Sequence, residues 1–194
     1  MDKVLSGMKG VVCFLDDILI SSKDEEEHLK VLAEVLTRLD KHDIKANRSK
    51  CHFMVSSVTY LGHRIDAEGI HPTQEKVEAI LNAKTPGNLS ELRTFIGIVT
   101  YYCRFIPNMS SRFAPLYKLL RDDVEWSWTT ECEQAVNDIK NLLASDQILA
   151  HYDPKKPITL ACDASPFGVG AVLSHMVGRV ERPVAYASRT LTSA

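Results

Sequence analysis

Two adjacent carboxylates, Asp16 and Asp17, are the residues of this sequence whose type and spacing most directly suggest chemistry. Neighbouring carboxylates repel each other, and a divalent cation relieves that repulsion. Mg²⁺ prefers hard oxygen ligands, and two such ions roughly 3.5–4 Å apart can clamp the attacking and leaving oxygens of a phosphoryl transfer. A turn without metal is the other interpretation, because short acidic side chains cap turns. The spacing alone leaves both interpretations open.

The apolar runs on either side of this pair predict the element that presents it. Val11–Phe14 and Ile18–Ile20 are rich in β-branched and aromatic residues, which indicates a strand, a tight turn and a returning strand. Ser22 and Glu25 have the spacing of a capping box, and leucines at helical spacing predict an amphipathic helix over about residues 24–41. The aspartates are therefore expected at the tip of a hairpin that precedes a helix.

The middle of the chain reads as a second hairpin candidate and then as a helical unit. Cys51–Val55 and Val58–Ile65 are the two parts of the hairpin candidate. From 73 to 145 the apolar residues recur at helical spacing, which predicts a nearly all-helical small domain with one continuous helix after Pro107. We expect the aromatic residues of this unit to fill its core, and these include Tyr101, Tyr102, Phe105, Trp126 and Trp128.

A proline-rich loop at 151–157 marks a domain boundary, and strand patterns follow it. Asp163 is expected to end the first of these strands, and Gly168 and Gly170 are expected to bracket a turn. The predicted strands are Ile158–Cys162, Ala171–Ser174 and Val184–Ala187. These strands are too few to close a sheet.

The charge distribution favours a local rather than a general nucleic-acid surface. The net charge of the chain is −2, which excludes a wholly basic coat. Residues 84–121 hold six basic residues against Glu91, and residues 122–153 hold eight acids against Lys140. A plain solvated surface could produce the same blocks, so both interpretations stay open.

The composition excludes several classes of protein. With 45% hydrophobic and 25% charged residues, the chain is typical of a globular protein, and no apolar run reaches the roughly 20 residues of a membrane-spanning helix. The five cysteines include no CxxC pair, so we expect reduced thiols and no zinc site. No secretory signal or transit peptide is visible, so we expect an intracellular protein, cytoplasmic or nuclear, or an internal piece of one.

Eight sequence blocks together resemble one family. VVCFLDDILISS, with Phe14 two residues before Asp16, resembles the aromatic-x-Asp-Asp motif of reverse transcriptases, especially those of Ty3/gypsy-type long-terminal-repeat retrotransposons. Seven more blocks follow in the order of that family: HLKVLAEVL, SKCHF, YLGHRI, GIHPTQEKVEAI, LRTFIGIVTYYCRFIP, FAPLYKLL and ITLACDASPFGVGAVLSH. The resemblance spans nearly the whole chain. For the aspartate pair, the resemblance favours a metal site over a turn without metal.

The resemblance implies roles for individual residues. Asp16 and Asp17 would be catalytic and would hold Mg²⁺ in the polymerase palm, and Asp163 would be the first metal-binding aspartate of ribonuclease H. The primer grip, which holds the 3′ end of the primer, would be Tyr60, Leu61, Gly62 and His63. The residues expected to contact phosphates of the nucleic acid are Arg93, Arg104 and Lys118.

The resemblance also implies an α+β fold in three parts. Residues 1–71 would be the C-terminal part of a polymerase palm, with hairpins and a helix; residues 72–150 would be the all-helical thumb and connection; and residues 151–194 would hold the first strands of a ribonuclease H-like α/β domain. The implied function is RNA-directed DNA polymerization with ribonuclease H activity in a retrotransposon polyprotein, on an RNA/DNA template-primer and deoxynucleoside triphosphates, with no membrane partner.

Each of the two implied two-metal sites is incomplete in this sequence. The polymerase site would need a third aspartate, and before Asp16 the sole acid is Asp2. The ribonuclease H site would need further acids beside Asp163, and Glu181 is expected to be only a loop charge. We therefore expect the 194 residues alone to be inactive without the missing palm, fingers and ribonuclease H segments. The alternatives are a domesticated, non-catalytic nucleic-acid-binding module and a pseudogene product that folds poorly.

Overall fold

The computed structural model describes residues 1–145 and 148–191, and these form two compact units, Met1–Tyr60 and Leu61–Ala194. Both helices and strands occur, which confirms a mixed α/β fold. Within the described residues, no helix has the length and apolar character needed to cross a membrane. The division into three domains stays a prediction, and its residues 146–147 and 192–194 lie outside the described part of the chain.

The first unit packs a hairpin and a long helix around a small apolar core. Its elements are α1 (Asp2–Leu5), β1 (Val11–Phe14), β2 (Asp17–Ile20), α2 (Glu25–Lys41) and β3 (Ser57–Tyr60). The fully buried core residues are Leu5, Val35 and Leu39, and one face of the hairpin packs against them. The predicted helix is confirmed, but its N-cap is Asp24, whose carboxylate accepts a hydrogen bond from the Glu27 amide at 2.8 Å.

The predicted first strand of the second hairpin is absent from residues 51–55, which are fully described. Met54 has a φ of +54°, a left-handed conformation that interrupts an extended strand. A short 3₁₀ turn, Arg48–Lys50, precedes this segment and is capped by the Asn47 side chain. The prediction of a strand at Cys51–Val55 was therefore wrong, and the first strand here is β3.

The second unit begins with an antiparallel pair, β4 (His63–Asp66) and β5 (Ile70–Pro72). Asp66 organizes the connection between these strands. Its carboxylate accepts hydrogen bonds from the Glu68 and Gly69 amides at 2.9 and 3.2 Å and contacts the His71 ring at 3.0 Å. Arg64 also pairs with this carboxylate. Asp66 therefore holds the β4–β5 turn in place.

Acid should weaken the second unit through Asp66. Burial raises the pKa of this carboxyl, but hydrogen bonds from His71, Glu68 and Gly69 outweigh burial and hold the pKa at about 2. Because the folded-state pKa lies below the unfolded value, the stabilization is present above about pH 4 and is lost as the pH falls towards 2. We expect Asp66→Asn to remove this part of the pH dependence, on the order of 2 kcal/mol, in urea unfolding at pH 2 to 6. Glu68→Gln keeps its backbone amide and is the control. An unchanged acid limb in Asp66→Asn would contradict the assignment.

A bundle of short helices forms the main core of the second unit. The helices are α3 (Gln74–Leu81), α4 (Leu89–Thr100), α5 (Met109–Arg112), α6 (Ala114–Leu119) and α7 (Thr130–Ala144). Their buried side chains, which include Leu92, Phe113 and Ile139, form one continuous apolar cluster. The single helix predicted after Pro107 is wrong, because it breaks at Phe113. Pro115 lies in the first turn of α6, where a proline without an amide hydrogen is best tolerated.

The C-terminal sheet has three antiparallel strands in the order β6 (Ile158–Ser165), β7 (Gly168–Val177) and β8 (Val180–Thr190). Helix α5 packs on this sheet through hydroxyl groups. The Ser110 and Ser188 hydroxyls are 2.6 Å apart, and those of Ser111 and Ser165 are 2.8 Å apart. The turn predicted around Gly168 and Gly170 is wrong: both glycines lie inside β7, where the missing side chains make room for α5 and the residue before it.

Candidate functional site

The hairpin of the first unit presents its two carboxylates to solvent. Phe14 pairs with Asp17 across the strands, so Leu15 and Asp16 form a two-residue turn. Leu15 has a φ of +52°, an uncommon conformation for a branched side chain and one that costs about 1–3 kcal/mol. Both aspartate side chains are exposed. Within residues 1–145 and 148–191, neither makes an ion pair or a side-chain hydrogen bond, so both are free to bind a cation.

The donor set at this turn suits Mg²⁺ in type but not in number. Carboxylate oxygens are the hard ligands that this ion prefers. No group of three or more histidine, cysteine, aspartate or glutamate side chains in the described part of the chain could hold a metal ion. Asp16 and Asp17 therefore fit as two ligands of a metal site rather than as a whole site.

Tyr60, the first residue of the predicted primer grip, lies at the end of the first unit. Burial raises the pKa of its hydroxyl, and the negative charges of Cys13, Asp17 and Asp2 raise it further. The hydroxyl is buried and has no hydrogen-bond partner among the residues that the structure describes. Tyr60 is thus within electrostatic reach of Asp17.

The other three residues of the predicted grip begin the second unit and form a tight turn. Leu61 and Gly62 both have positive φ values, +46° and +65°, as in the type I′ turns of hairpins. The Tyr101 hydroxyl donates a hydrogen bond to the Leu61 carbonyl at 2.6 Å, and the Tyr102 hydroxyl donates one to the Gly62 carbonyl at 3.1 Å. The turn is therefore bound to the end of helix α4.

The His63 ring lies within an aromatic group. It stacks on Tyr101 and Phe105 at centroid distances of 5.5 and 5.7 Å, and Tyr102 meets it edge-on. Its Nδ1 donates to the Leu61 carbonyl at 2.6 Å, whereas Nε2 is buried without a partner among the described residues. Burial lowers the pKa of His63, the bond to Leu61 opposes that shift, and the positive charge of Arg104 adds to it. The ring is therefore held in its neutral form at pH 7.

The three predicted phosphate-binding residues differ from Arg112 and Arg121 of the same basic block. Arg93, Arg104 and Lys118 are exposed, and within the described residues none of them forms an ion pair. By contrast, Arg121 pairs with Asp123 at 3.1 Å, and the Arg112 guanidinium donates to the Pro107 carbonyl at 2.9 Å. The three side chains are thus available to bind an external anion.

Asp163 lies within β6 rather than at its end, because the strand continues to Ser165. Its carboxylate accepts a hydrogen bond from the Ala164 amide at 2.9 Å and is exposed to solvent. Asp163 also lines a shallow cavity of about 170 Å³ together with Asn108 and Tyr186. Asp163 is therefore accessible to solvent beside this cavity.

Tyr101 is the residue that sequence reasoning misjudged at this site. Tyr102 and Phe105 are buried in the core, as predicted, but Tyr101 is 54% exposed. The helical spacing contains the signal, since the buried residues of α4 run from Leu92 through Val99 to Tyr102 and leave Tyr101 on the opposite face, beside Gly97. The tryptophans Trp126 and Trp128 do pack against the core, as expected.

Two family models match separate parts of the chain. Residues 1–65 match the reverse transcriptase (RNA-dependent DNA polymerase) family, and residues 128–194 match the RNase H-like domain found in reverse transcriptase. The Transposon Tf2-3 and Tf2-7 polyproteins of Schizosaccharomyces pombe are 45% and 44% identical to this chain over 165 residues, which is 85% of its length. The chain spans 12% of the length of each polyprotein.

The fold is similar to that of solved reverse transcriptases. A foamy viral protease-reverse transcriptase in complex with double-stranded DNA superimposes with a TM-score of 0.85 at 28% identity, over 98% of this chain and 34% of that one. The same kind of protein in complex with an RNA/DNA hybrid gives a TM-score of 0.80 over 98% of this chain and 26% of that one. The chain belongs to the reverse transcriptase family, with the reverse transcriptase and RNase H-like regions of a Ty3/gypsy-type retrotransposon polyprotein.

Proposed function

We propose that this chain contributes the metal-binding hairpin, the primer grip and the thumb of an RNA-directed DNA polymerase, followed by the first strands of its ribonuclease H. The observation that carries the proposal is the exposed hairpin turn, whose two carboxylates have no partner among the described residues. Family membership supports the same assignment. The relatives of solved structure bind double-stranded DNA and an RNA/DNA hybrid, which supports a template-primer as the partner of this chain.

Each group has a distinct task in this proposal. The carboxylates of Asp16 and Asp17 would hold Mg²⁺ in the polymerase site, and the carboxylate of Asp163 would hold Mg²⁺ in the ribonuclease H site. When bound, the ions stabilize the charge that develops on the transferring phosphoryl group. The residues from Tyr60 to His63 hold the primer end, while Arg93, Arg104 and Lys118 bind backbone phosphates. The work of the protein is mainly positioning and electrostatic stabilization.

Metal titration of the 194-residue chain tests the assignment of the aspartate pair. We expect Mn²⁺, used as a paramagnetic substitute for Mg²⁺, to broaden the NMR signals of residues around the turn, and we expect excess Mg²⁺ to reverse the effect. The Asp16→Asn, Asp17→Asn double variant should lose the broadening, because amides are much weaker ligands than carboxylates. The matched control is Asp122→Asn, an exposed acid elsewhere in the chain. Equal broadening in the double variant would refute the assignment.

The same chain should not extend a primer. Two carboxylates without a third hold the metal weakly and position the phosphates poorly, so we expect no product from a primed template with Mg²⁺ and deoxynucleoside triphosphates. Gel analysis of a labelled primer measures this directly. Extension that depends on Asp16 and Asp17 would show that the chain alone is sufficient.

A non-catalytic nucleic-acid-binding module is the second candidate. The exposed side chains of Arg93, Arg104 and Lys118, which form no ion pair among the described residues, favour it, since phosphate binding does not require the aspartates. This candidate predicts duplex binding that survives Asp16→Asn. Binding that requires both the aspartates and a divalent ion would count against it.

A further inference from the structure

The turn Leu61–His63 is held in one conformation by side chains that lie about forty residues later in the chain. We call Tyr101, Tyr102 and Phe105 the aromatic clamp. We propose that Tyr101 and Tyr102 are positioning residues whose hydroxyl groups fix the peptide planes of the predicted primer grip. The effect on the primer rests on the proposed function, whereas the effect on the conformation of the turn does not.

The backbone of the turn needs such support. Leu61 has a φ of +46°, which is unfavourable for a residue with a branched side chain, and its side chain is 37% exposed. An unfavourable conformation of this kind persists when surrounding contacts over-determine it. Because the Leu61 side chain is exposed, the clamp contributes to this constraint through hydrogen bonds to the backbone of the turn.

The two hydroxyl groups act on successive carbonyls. Tyr101 donates to the Leu61 carbonyl at 2.6 Å, and the same oxygen accepts the Nδ1 hydrogen of His63 at 2.6 Å. Tyr102 donates to the Gly62 carbonyl at 3.1 Å, and its hydroxyl lies 3.4 Å from the Thr73 hydroxyl. Each of the carbonyls of the two positive-φ residues therefore accepts a hydrogen bond from a tyrosine hydroxyl.

The clamp also fits the turn by shape. A Cβ atom on Gly62 would lie 2.9 Å from the Tyr101 hydroxyl oxygen, closer than real Cβ atoms come to a neighbour. The His63 ring lies nearly parallel to both the Tyr101 ring and the Phe105 ring, with interplanar angles of 20° and 22°. A side chain at position 62 would therefore displace the Tyr101 hydroxyl and would be strained by the positive φ, and the histidine ring packs against both aromatic neighbours.

Tyr101 has no role in the core that would account for these contacts. It is about half exposed, whereas Tyr102 is 1% exposed and Phe105 is fully buried. The Tyr101 ring therefore contributes little to the stability of the unit and much to the conformation of the turn. This separation makes Tyr101 the better residue for a test.

The test compares Tyr101→Phe with Tyr117→Phe in the 194-residue chain. Phenylalanine at 101 keeps the stacking on His63 and removes only the hydroxyl group. Tyr117 is a thumb tyrosine whose hydroxyl makes no hydrogen bond among the described residues, so it is the matched control. We expect amide hydrogen exchange at residues 61–64 to become about tenfold faster in Tyr101→Phe and to stay unchanged in Tyr117→Phe. Unchanged exchange in Tyr101→Phe would refute the clamp.

A second measurement addresses the primer. A primed template carries 2-aminopurine either at the primer 3′ end or six nucleotides upstream, and anisotropy reports total binding. We expect the total affinity of Tyr101→Phe to stay within about twofold of that of the unaltered chain, because no phosphate contact is lost. The fluorescence change of 2-aminopurine on binding should become smaller at the primer 3′ end and should persist at the upstream position. A normal 3′ signal in Tyr101→Phe would overturn the positioning role. If the unaltered chain bound no template-primer at all, the proposed function would fail, and hydrogen exchange alone would decide the clamp.

Discussion

Replacing Arg93, Arg104 and Lys118 together by alanine is expected to lower the affinity of the chain for a primed template about 100-fold at 0.15 M salt. Each side chain is exposed and has no ion pair within the described residues. Each is therefore available to displace one counterion from the nucleic-acid backbone. Each phosphate contact adds about −0.9 to the slope of log affinity against log salt concentration, so three contacts add roughly −2.7. If the contribution of the contacts vanishes at about 1 M salt, this slope gives a loss of about 100-fold at 0.15 M salt.

The salt dependence is the more specific part of this result. We expect the slope of log affinity against log salt, measured by fluorescence anisotropy from 0.05 to 0.3 M salt, to become less negative by about 2.7. If the three substitutions acted only by lowering the net charge, the change in this slope would be smaller, and removing any other three basic residues would give the same change. Affinity and slope together therefore distinguish direct phosphate contact from a general charge effect.

Two controls bracket the triple variant. The first control is a triple variant that removes the same number of exposed charges outside the predicted thumb: Lys45→Ala, Lys50→Ala, Lys155→Ala. Arg121→Ala removes a basic residue of the same block that is already paired with Asp123. We expect both controls to bind within about threefold of the unaltered chain, since exposed charges without a phosphate contact change affinity little. If the first control weakened binding as much as the triple variant, the assigned surface would be wrong.

Gly168→Ala is expected to destabilize the second unit by about 3 kcal/mol. A Cβ atom at this position would lie 2.2 Å from the Ser110 hydroxyl oxygen and 2.7 Å from the Arg189 carbonyl oxygen. The second neighbour is backbone in β8 and cannot rotate away. Because Ser110 also bonds Ser188 at 2.6 Å, relief of the clash separates helix α5 from the sheet and breaks this hydrogen bond as well.

Gly97→Ala is the matched control for this variant. Gly97 lies in helix α4, and outside its chain neighbours and the backbone of its own helix no atom lies within 4 Å of the position that its Cβ would take. Alanine should therefore raise the free energy of unfolding by about 0.5–1 kcal/mol, because glycine is the poorer helix former. Urea unfolding followed by circular dichroism measures both variants. A Gly168→Ala protein as stable as the unaltered chain would show that the helix does not pack closely on the sheet.

Local patterns were sufficient for several elements. The hairpin around Asp16 and the helix Glu25–Lys41 follow from runs of β-branched residues and from leucines at helical spacing, and the structure has both. The exact cap was not predictable, because Ser22 and Asp24 both suit the position. Asp24 is the cap because its carboxylate reaches the Glu27 amide.

Other elements depended on contacts that no local pattern contains. Gly168 and Gly170 look like turn residues, yet they lie in a strand because Ser110 and Asn108 approach them from elsewhere in the chain. The predicted continuous helix after Pro107 ignored Pro115, whose ring is compatible with the first turn of a helix but not with its interior. Helical spacing could place Tyr101 outside the core, but its partner, the Leu61 carbonyl forty residues earlier, appears in no local pattern.

The sequence by itself determined which chemical groups this protein has and in what order they occur: an aspartate pair in a tight turn, a YLGH segment, three basic residues and a strand aspartate. This information is local, because residue type and short-range spacing decide turn, strand and helix. The tertiary structure decided which groups meet. It joined the turn at Gly62 to tyrosines forty residues away and left the carboxylates of the first hairpin facing solvent, since packing between distant segments depends on side-chain shape and not on their spacing along the chain.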